Sequence, residues 1–215
     1  MSEVSAIDNE KLKFFIKQTG DMVAAGFNCA ITVLGDRLDL YQHMADVGPT
    51  SADDLAARAG LHPRWVREWL QHQACIGQVD YAEGRFTLSP EAVAVLVNEE
   101  HPAFLMGAFD SVLTVAPAVD RLEEAFRTGI GMSYDEHGPG CACAIERMGA
   151  FTKNHRLVPE LIPHIDTMHE KLSNGARVID VGCGGALSTL VMARAYPNSE
   201  FVGYDISEHA LNRAR

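Results

Sequence analysis

Residues Ala176–Leu187, A-R-V-I-D-V-G-C-G-G-A-L, constrain this chain more than any other stretch. Val178–Val181 is a short β-branched run between turn signals, which suits a buried parallel strand. Glycines follow, and then a helical pattern. A second apolar run, Glu200–Tyr204, stops at an acid, Asp205. Strand, glycine turn, helix, strand and acid form the opening of a parallel α/β sheet. Such sheets bind ligands at the carboxyl ends of their strands.

The turn narrows the ligand. A dinucleotide fingerprint requires G-x-G-x-x-G. Counted from Gly182, its third glycine falls at position 187, which is Leu187. The sequence reads instead D-x-G-x-G-x-A, with Asp180, Gly182, Gly184 and Ala186. Small residues here let a ligand approach backbone that a Cβ would shield. No Lys-Ser or Lys-Thr pair follows, so the turn is not a P-loop. Asp205 lies 23 residues after Gly182, where a strand-end carboxylate can accept hydrogen bonds from both ribose hydroxyls. Cys183, inside the turn, reads as a small filler.

The rest of the chain is mostly helical. Residues 8–47 read as two helices, the first carrying Phe14, Phe15, Met22 and Val23 at helical spacing. Its run Phe27–Leu34 is apolar nearly all round, which predicts burial in a core or against a partner. Thr50 or Ser51 can cap a short helix, and Gly60-Leu61-His62 forms a turn. Pro63 opens a helix with a Trp65, Val66, Trp69 and Leu70 stripe. Gln78–Tyr81 and Arg85–Leu88 read as a hairpin. Two helices at a tight turn followed by a hairpin make a winged helix-turn-helix. Beyond it, Pro117 should break a long helical run. Residues 129–140 should form a loop, and Ile145–Phe151 and Leu157–Leu172 should be helical.

The expected fold is therefore a helical and winged-helix unit followed by the start of an α/β Rossmann-like domain. The boundaries read as 1–100 for the helical and winged-helix part, 101–172 for a helical linker and 173–215 for the Rossmann-like part. The last residues, Leu211–Arg215, keep a helical pattern without a stop signal. This predicts an incomplete domain whose last 40 residues, Ala176 onward, hold poorly in isolation.

Composition bears on partners and compartment. A net charge of −11 disfavours a broad cationic surface for nucleic acid or anionic membrane. The first ten residues are polar, unlike a signal peptide. The longest uncharged run, Met22–Gly35, is too short to span a bilayer, which takes about 20 apolar residues. Five cysteines without framework spacing suggest a reduced, cytoplasmic protein.

V-I-D-V-G-C-G-G-A followed by F-V-G-Y-D-I-S resembles motif I and the next acidic motif of class I S-adenosylmethionine-dependent methyltransferases. The order of units is similar to small-molecule O-methyltransferases. It is also similar to a bacterial group of winged-helix methyltransferases sometimes labelled transcriptional regulators. That likeness rests on G-D-R-L-D-L-Y, G-L-H-P-R-W-V-R-E-W-L, E-R-M and P-N-S-E-F-V-G-Y-D. The resemblance implies S-adenosylmethionine as cofactor, a small-molecule methyl acceptor and a homodimer. Gly182 and Gly184 would border the methionine part, with Cys183 between them and Asp180 near the amino group. Asp205 would hold the ribose and Ile206 would pack on adenine. Ala186 departs from the family, where many members carry glycine. The resemblance also implies that later strands supply the catalytic base, and none is identifiable in this sequence.

Other readings compete with these. The Pro63–Cys75 helix offers Arg64, Arg67, Glu68 and Gln71 as groove readers of DNA. However, residues 51–90 hold four basic and five acidic side chains, a poor balance for phosphate contact, so a dimerising role is expected. Cys141, Cys143 and His137 fall short of zinc-site spacing and read as loop residues, and no metal is expected. His164 and His169 read as helix-surface residues. Tyr134, Arg147 and Phe151 precede motif I, where similar methyltransferases border cofactor or substrate.

Overall fold

The computed structural model describes residues 7–215; the first six residues of the polar start lie outside it. Helix α1 (Asn9–Arg37) begins where the Asp8 carboxylate accepts the N–H groups of Glu10 and Lys11. Only its carboxyl-terminal part is packed, at Thr32, Val33 and Gly35. The Trp69 ring fills the place of a side chain at Gly35 and donates Nε1–H to the Ile31 carbonyl at 3.1 Å. The earlier part stays open, with Phe14, Met22 and Phe27 each about 70% exposed (69%, 71% and 70%).

Helix α2 (Leu40–Val47) buries Leu40, Tyr41 and Met44. Helix α3 (Ala52–Ala59) is capped by Ser51 Oγ, which accepts from Asp54 N–H at 3.1 Å, and it ends on left-handed Gly60. Helix α4 (Pro63–Cys75) starts on Pro63, whose missing N–H costs nothing in a first turn. Strands β1 (Asp80–Ala82) and β2 (Arg85–Thr87) pair antiparallel, with Tyr81 opposite Phe86. Glu83 and Gly84 join them with φ of 50° and 80°, the hand that suits a two-residue hairpin. Thr50 and Phe86 exchange backbone hydrogen bonds and tie the wing to the start of α3. Leu40, Met44, Leu55, Val66 and Leu70 make the core, each at most 2% exposed. This is the expected winged helix-turn-helix.

Helix α5 (Pro90–Leu96) is capped by Ser89. Helix α6 (Met106–Val115) and helix α7 (Val119–Thr128) are separated by a tight turn at Ala116–Ala118, where Pro117 breaks the run as expected. The expected loop at 129–140 is partly helical. Tyr134–His137 forms one turn held by a reciprocal Ser133–Glu136 cap, and helix α8 (Pro139–Phe151) already begins at Pro139. Cys141 and Cys143 are therefore helix residues, with Cys141 buried. A Cβ at Gly107 would meet Met148 N at 2.7 Å, so α6 and α8 touch backbone to backbone. After Phe151 the helix widens over Thr152–Leu161, a segment holding Pro159, which has no N–H to donate. The helix expected over Leu157–Leu172 is broken. Ile165 turns extended, Thr167 is left-handed at φ 59°, and helix α9 (Met168–Asn174) follows.

Strands β3 (Arg177–Val181) and β4 (Glu200–Tyr204) pair in parallel, Ile179 beside Val202, through helix α10 (Leu187–Ala195). Helix α11 (Glu208–Ala214) closes the chain, with Ser207 Oγ accepting from Ala210 N–H. Val178, Phe201 and Met192 pack on Ile162, Leu172 and Tyr196. The other face of the pair is open: Ile179 is 64% and Val181 83% exposed. The expectation of a strand buried on both faces is thus corrected, because elements cover only its α10 side. No described helix is long and apolar enough to cross a membrane.

Candidate cofactor site

The site begins where β3 and β4 end side by side. The Tyr204 carbonyl accepts N–H groups from Gly182 at 2.7 Å and Cys183 at 3.1 Å, turning the chain across the strand ends. Asp205 then holds the turn. Its Oδ2 accepts Gly184 N–H at 2.7 Å and its Oδ1 accepts Ser207 N–H at 2.8 Å. A carboxylate has about four acceptor positions, so Asp205 keeps capacity for ligand hydroxyls. Gly182 (φ 80°) and Gly184 (φ 57°) are left-handed with open space where a side chain would lie. Ala186 is also left-handed, at φ 60°. That is a conformation glycine enters freely and alanine enters at a cost of about 1–2 kcal/mol.

A cavity of about 410 Å³ opens over this turn. It gathers Gly182, Cys183, Gly184, Asp205 and Ile206 with Gly185, Ala210 and, from the linker, Tyr134, Ala142, Ile145, Glu146 and Lys153. Five of the seven residues singled out in sequence thus come together. Asp180 and Ala186 do not line the space. Asp180 accepts the Thr189 hydroxyl of α10 at 2.6 Å, and Ala186 is the residue from which α10 starts. Cys183 Sγ packs where a Cβ on Gly203 would sit. Burial, then the Asp180 and Asp205 charges, push its thiol pKa up, so it stays protonated at neutral pH, as a filler would.

Of the three linker residues named in sequence, only Tyr134 reaches the cavity. Burial, the Cys141 thiol beside it and the Asp205 charge push its phenol up to about 12. It is a hydrogen-bond donor there, not a base. Arg147 is turned away from the cavity. Its guanidinium meets Asp36 and Asp110 at 2.8 and 2.7 Å and Glu99 at 2.9 Å, and lies 5.4 Å from the Phe104 ring. Burial lowers its pKa, but the Asp36 and Glu99 carboxylates outweigh this and raise it overall. Phe151 packs against the His155 ring. His169 caps Tyr196 Oη at 2.9 Å.

Three further residues belong to the site, Asp135 and Lys153 with no sequence signal and Glu146 marked only by its place in E-R-M. Asp135 accepts the Ser207 hydroxyl and, at 2.9 Å, Glu208 N–H, which docks the linker turn on α11 beside Asp205. Glu146 pairs with Arg213 at 2.7 Å. Lys153 lines the same wall. A residue spacing cannot reveal these, because each spans dozens of residues. A separate cleft of about 560 Å³ lies between α3, α4 and the wing and shares no residue with the glycine turn.

On α4 the groove-reading candidates are partly engaged. Arg67 is paired with Asp53 at 2.9 Å, and Arg64 lies over the Trp65 ring at 5.4 Å. Trp65 itself is 66% exposed.

Residues 26–98 match the family model described as Rv2258c-like winged HTH domain, and residues 172–215 match one described as methyltransferase domain. No curated protein matches the chain in sequence. Solved structures are similar in fold. Mitomycin 7-O-methyltransferase MmcR superposes with a TM-score of 0.68 at 16% identity, over 97% of this chain and 62% of that one. PigF with SAH gives 0.63 at 18%, over 92% and 60%. An O-methyltransferase from neocarzinostatin biosynthesis, in complex with S-adenosyl-L-homocysteine and 1,4-dihydroxy-2-naphthoic acid, gives 0.56 at 16%, over 87% and 58%. The chain therefore spans about three fifths of these proteins.

Proposed function

From the premise that this chain joins a winged helix-turn-helix domain to a methyltransferase domain, we propose that it serves S-adenosylmethionine-dependent methyl transfer to a small-molecule hydroxyl. The observation that carries this reading is the cavity that gathers Gly182, Cys183, Gly184, Asp205 and Ile206 at the ends of two parallel strands. Asp205 accepts the ribose hydroxyls with the acceptor positions its backbone contacts leave free. Ile206, 90% exposed, offers its side chain to adenine. Gly182 and Gly184 admit the methionine part. Asp180 acts from behind, through Thr189, and Ala186 sets the start of α10. When bound, S-adenosylmethionine supplies an electrophilic methyl carbon. The protein's contribution is to align the acceptor at near-attack distance, and Tyr134, protonated at neutral pH, can orient an acceptor oxygen.

The same reading divides the chain at residues 100 and 172, and the two matched segments support that division. It makes the first unit a homodimerising one. Support comes from the open apolar side of α1 at Phe14, Phe15, Met22, Val23 and Phe27, together with exposed Trp65. The Arg67–Asp53 pair and the acidic balance of the winged helix weigh against DNA. Five free thiols support a reducing, cytoplasmic setting.

Calorimetric titration with S-adenosylhomocysteine tests the reading. We expect saturable binding, weakened about tenfold or more in Asp205→Ala, since hydrogen bonds to a charged group are worth about 1.5–3 kcal/mol. Absence of heat at millimolar ligand would overturn it.

A further inference from the structure

We propose that Glu146 and Lys153, on the linker helix, clamp the zwitterionic amino-acid end of the cofactor. This rests on the cofactor reading above. Asp205 and Ile206 account for the nucleoside end, and the other charged groups on the cavity wall are Glu146 and Lys153. They lie seven residues apart, two helical turns, which places them on one face. Asp180, the acid that the family likeness assigns to the amino group, accepts the Thr189 hydroxyl and does not line the cavity.

Glu146 lies on the glycine turn itself. A Cβ at Gly185 would collide with its Oε2, so the carboxylate rests directly against turn backbone. Arg213 of α11 steadies it from one side. A carboxylate held by one partner keeps acceptor positions for an ammonium group. Lys153 sits at the start of the widened helical segment, a distortion that tends to accompany function. Helical side chains lean toward the amino terminus. Lys153 accordingly runs back over Gly149, where a Cβ would lie 3.2 Å from Nζ. A larger residue at 149 would displace it. Among the described residues Lys153 makes no ion pair, unlike Glu146. An acid facing the turn and an unpaired ammonium further along the same face match an α-amino acid, which presents ammonium and carboxylate from a single carbon.

The test uses two ligands on the full chain. S-adenosylhomocysteine carries the amino-acid end; 5′-methylthioadenosine carries the nucleoside and sulfur without it. Both are titrated by calorimetry into the wild type, Lys153→Gln and Lys153→Arg, with melting temperatures confirming the fold. We expect Lys153→Gln to weaken S-adenosylhomocysteine about tenfold, to leave 5′-methylthioadenosine within about twofold, and Lys153→Arg to retain most of the affinity. An unchanged S-adenosylhomocysteine affinity in Lys153→Gln, or an equal loss for both ligands, sinks the clamp while the cofactor reading stands. If neither ligand binds the wild type, both ideas fail together.

Discussion

Leu70 and Val181 are both aliphatic residues on regular elements, and they sit in opposite surroundings. Leu70 is fully buried among α2, α3 and the wing, whereas Val181 is 83% exposed at the end of β3. Around Leu70 the fold is held by packing. Around Val181 it is held by hydrogen bonds: Tyr204 and Asp205 accept N–H groups of the glycine turn, and Asp135 accepts Glu208 N–H of α11. The two regions teach where rigidity comes from. Interlocked side chains share the load over many contacts, while a turn fixed by a few polar contacts depends on each of them.

Amide exchange should separate the regions most widely. Amides of Val66–Leu70 should exchange on the order of a thousandfold more slowly than those of Val178–Val181, because local opening follows apolar burial. Equal protection, read by mass spectrometry, would erase the contrast. Core truncation comes next. Leu70→Ala should lose roughly 3 kcal/mol in denaturant unfolding, and Val181→Ala only a few tenths, as exposed sites do. A large loss at Val181 would mean that its open face is covered in solution.

Ala186→Gly reverses the usual rule for helix starts. Relief of left-handed strain, about 1–2 kcal/mol, exceeds the added backbone entropy of about 0.5–1 kcal/mol, so a net gain of about 0.5 kcal/mol is expected in thermal melts. The smallest effect concerns pH. The Ser207 hydroxyl, together with Glu208 N–H, holds the Asp135 carboxyl below the usual range. A depressed carboxyl stabilises above its unfolded value of about 3.9, and that contribution disappears as pH falls through the lower folded value. Protection of α11 amides should therefore weaken at acid pH in the wild type. In Asp135→Asn that acid limb should be flat.

Local chemistry made much of the fold readable. Ser51, Pro63, Gly60 and Glu83-Gly84 each mark a boundary by a backbone requirement, and the glycine turn with Asp205 marks the site. The linker is less legible. Gly138-Pro139-Gly140 looks like a loop, yet proline is at home in a first helical turn, so α8 starts there. Pro159 looks like a breaker, and the chain widens its helix around it instead. Glu146, Lys153 and Asp135 reach the cavity only because distant segments fold together, and no local pattern encodes that meeting.

Helix α8 belongs to both regions of the molecule. Its consecutive residues Glu146 and Arg147 face the two halves of the molecule, the glycine turn on one side and Asp36, Glu99 and Asp110 on the other. Neighbours on a helix leave the axis about 100° apart. One helix therefore anchors both halves through adjacent side chains, Arg147 in the three carboxylates and Glu146 between Gly185 and Arg213.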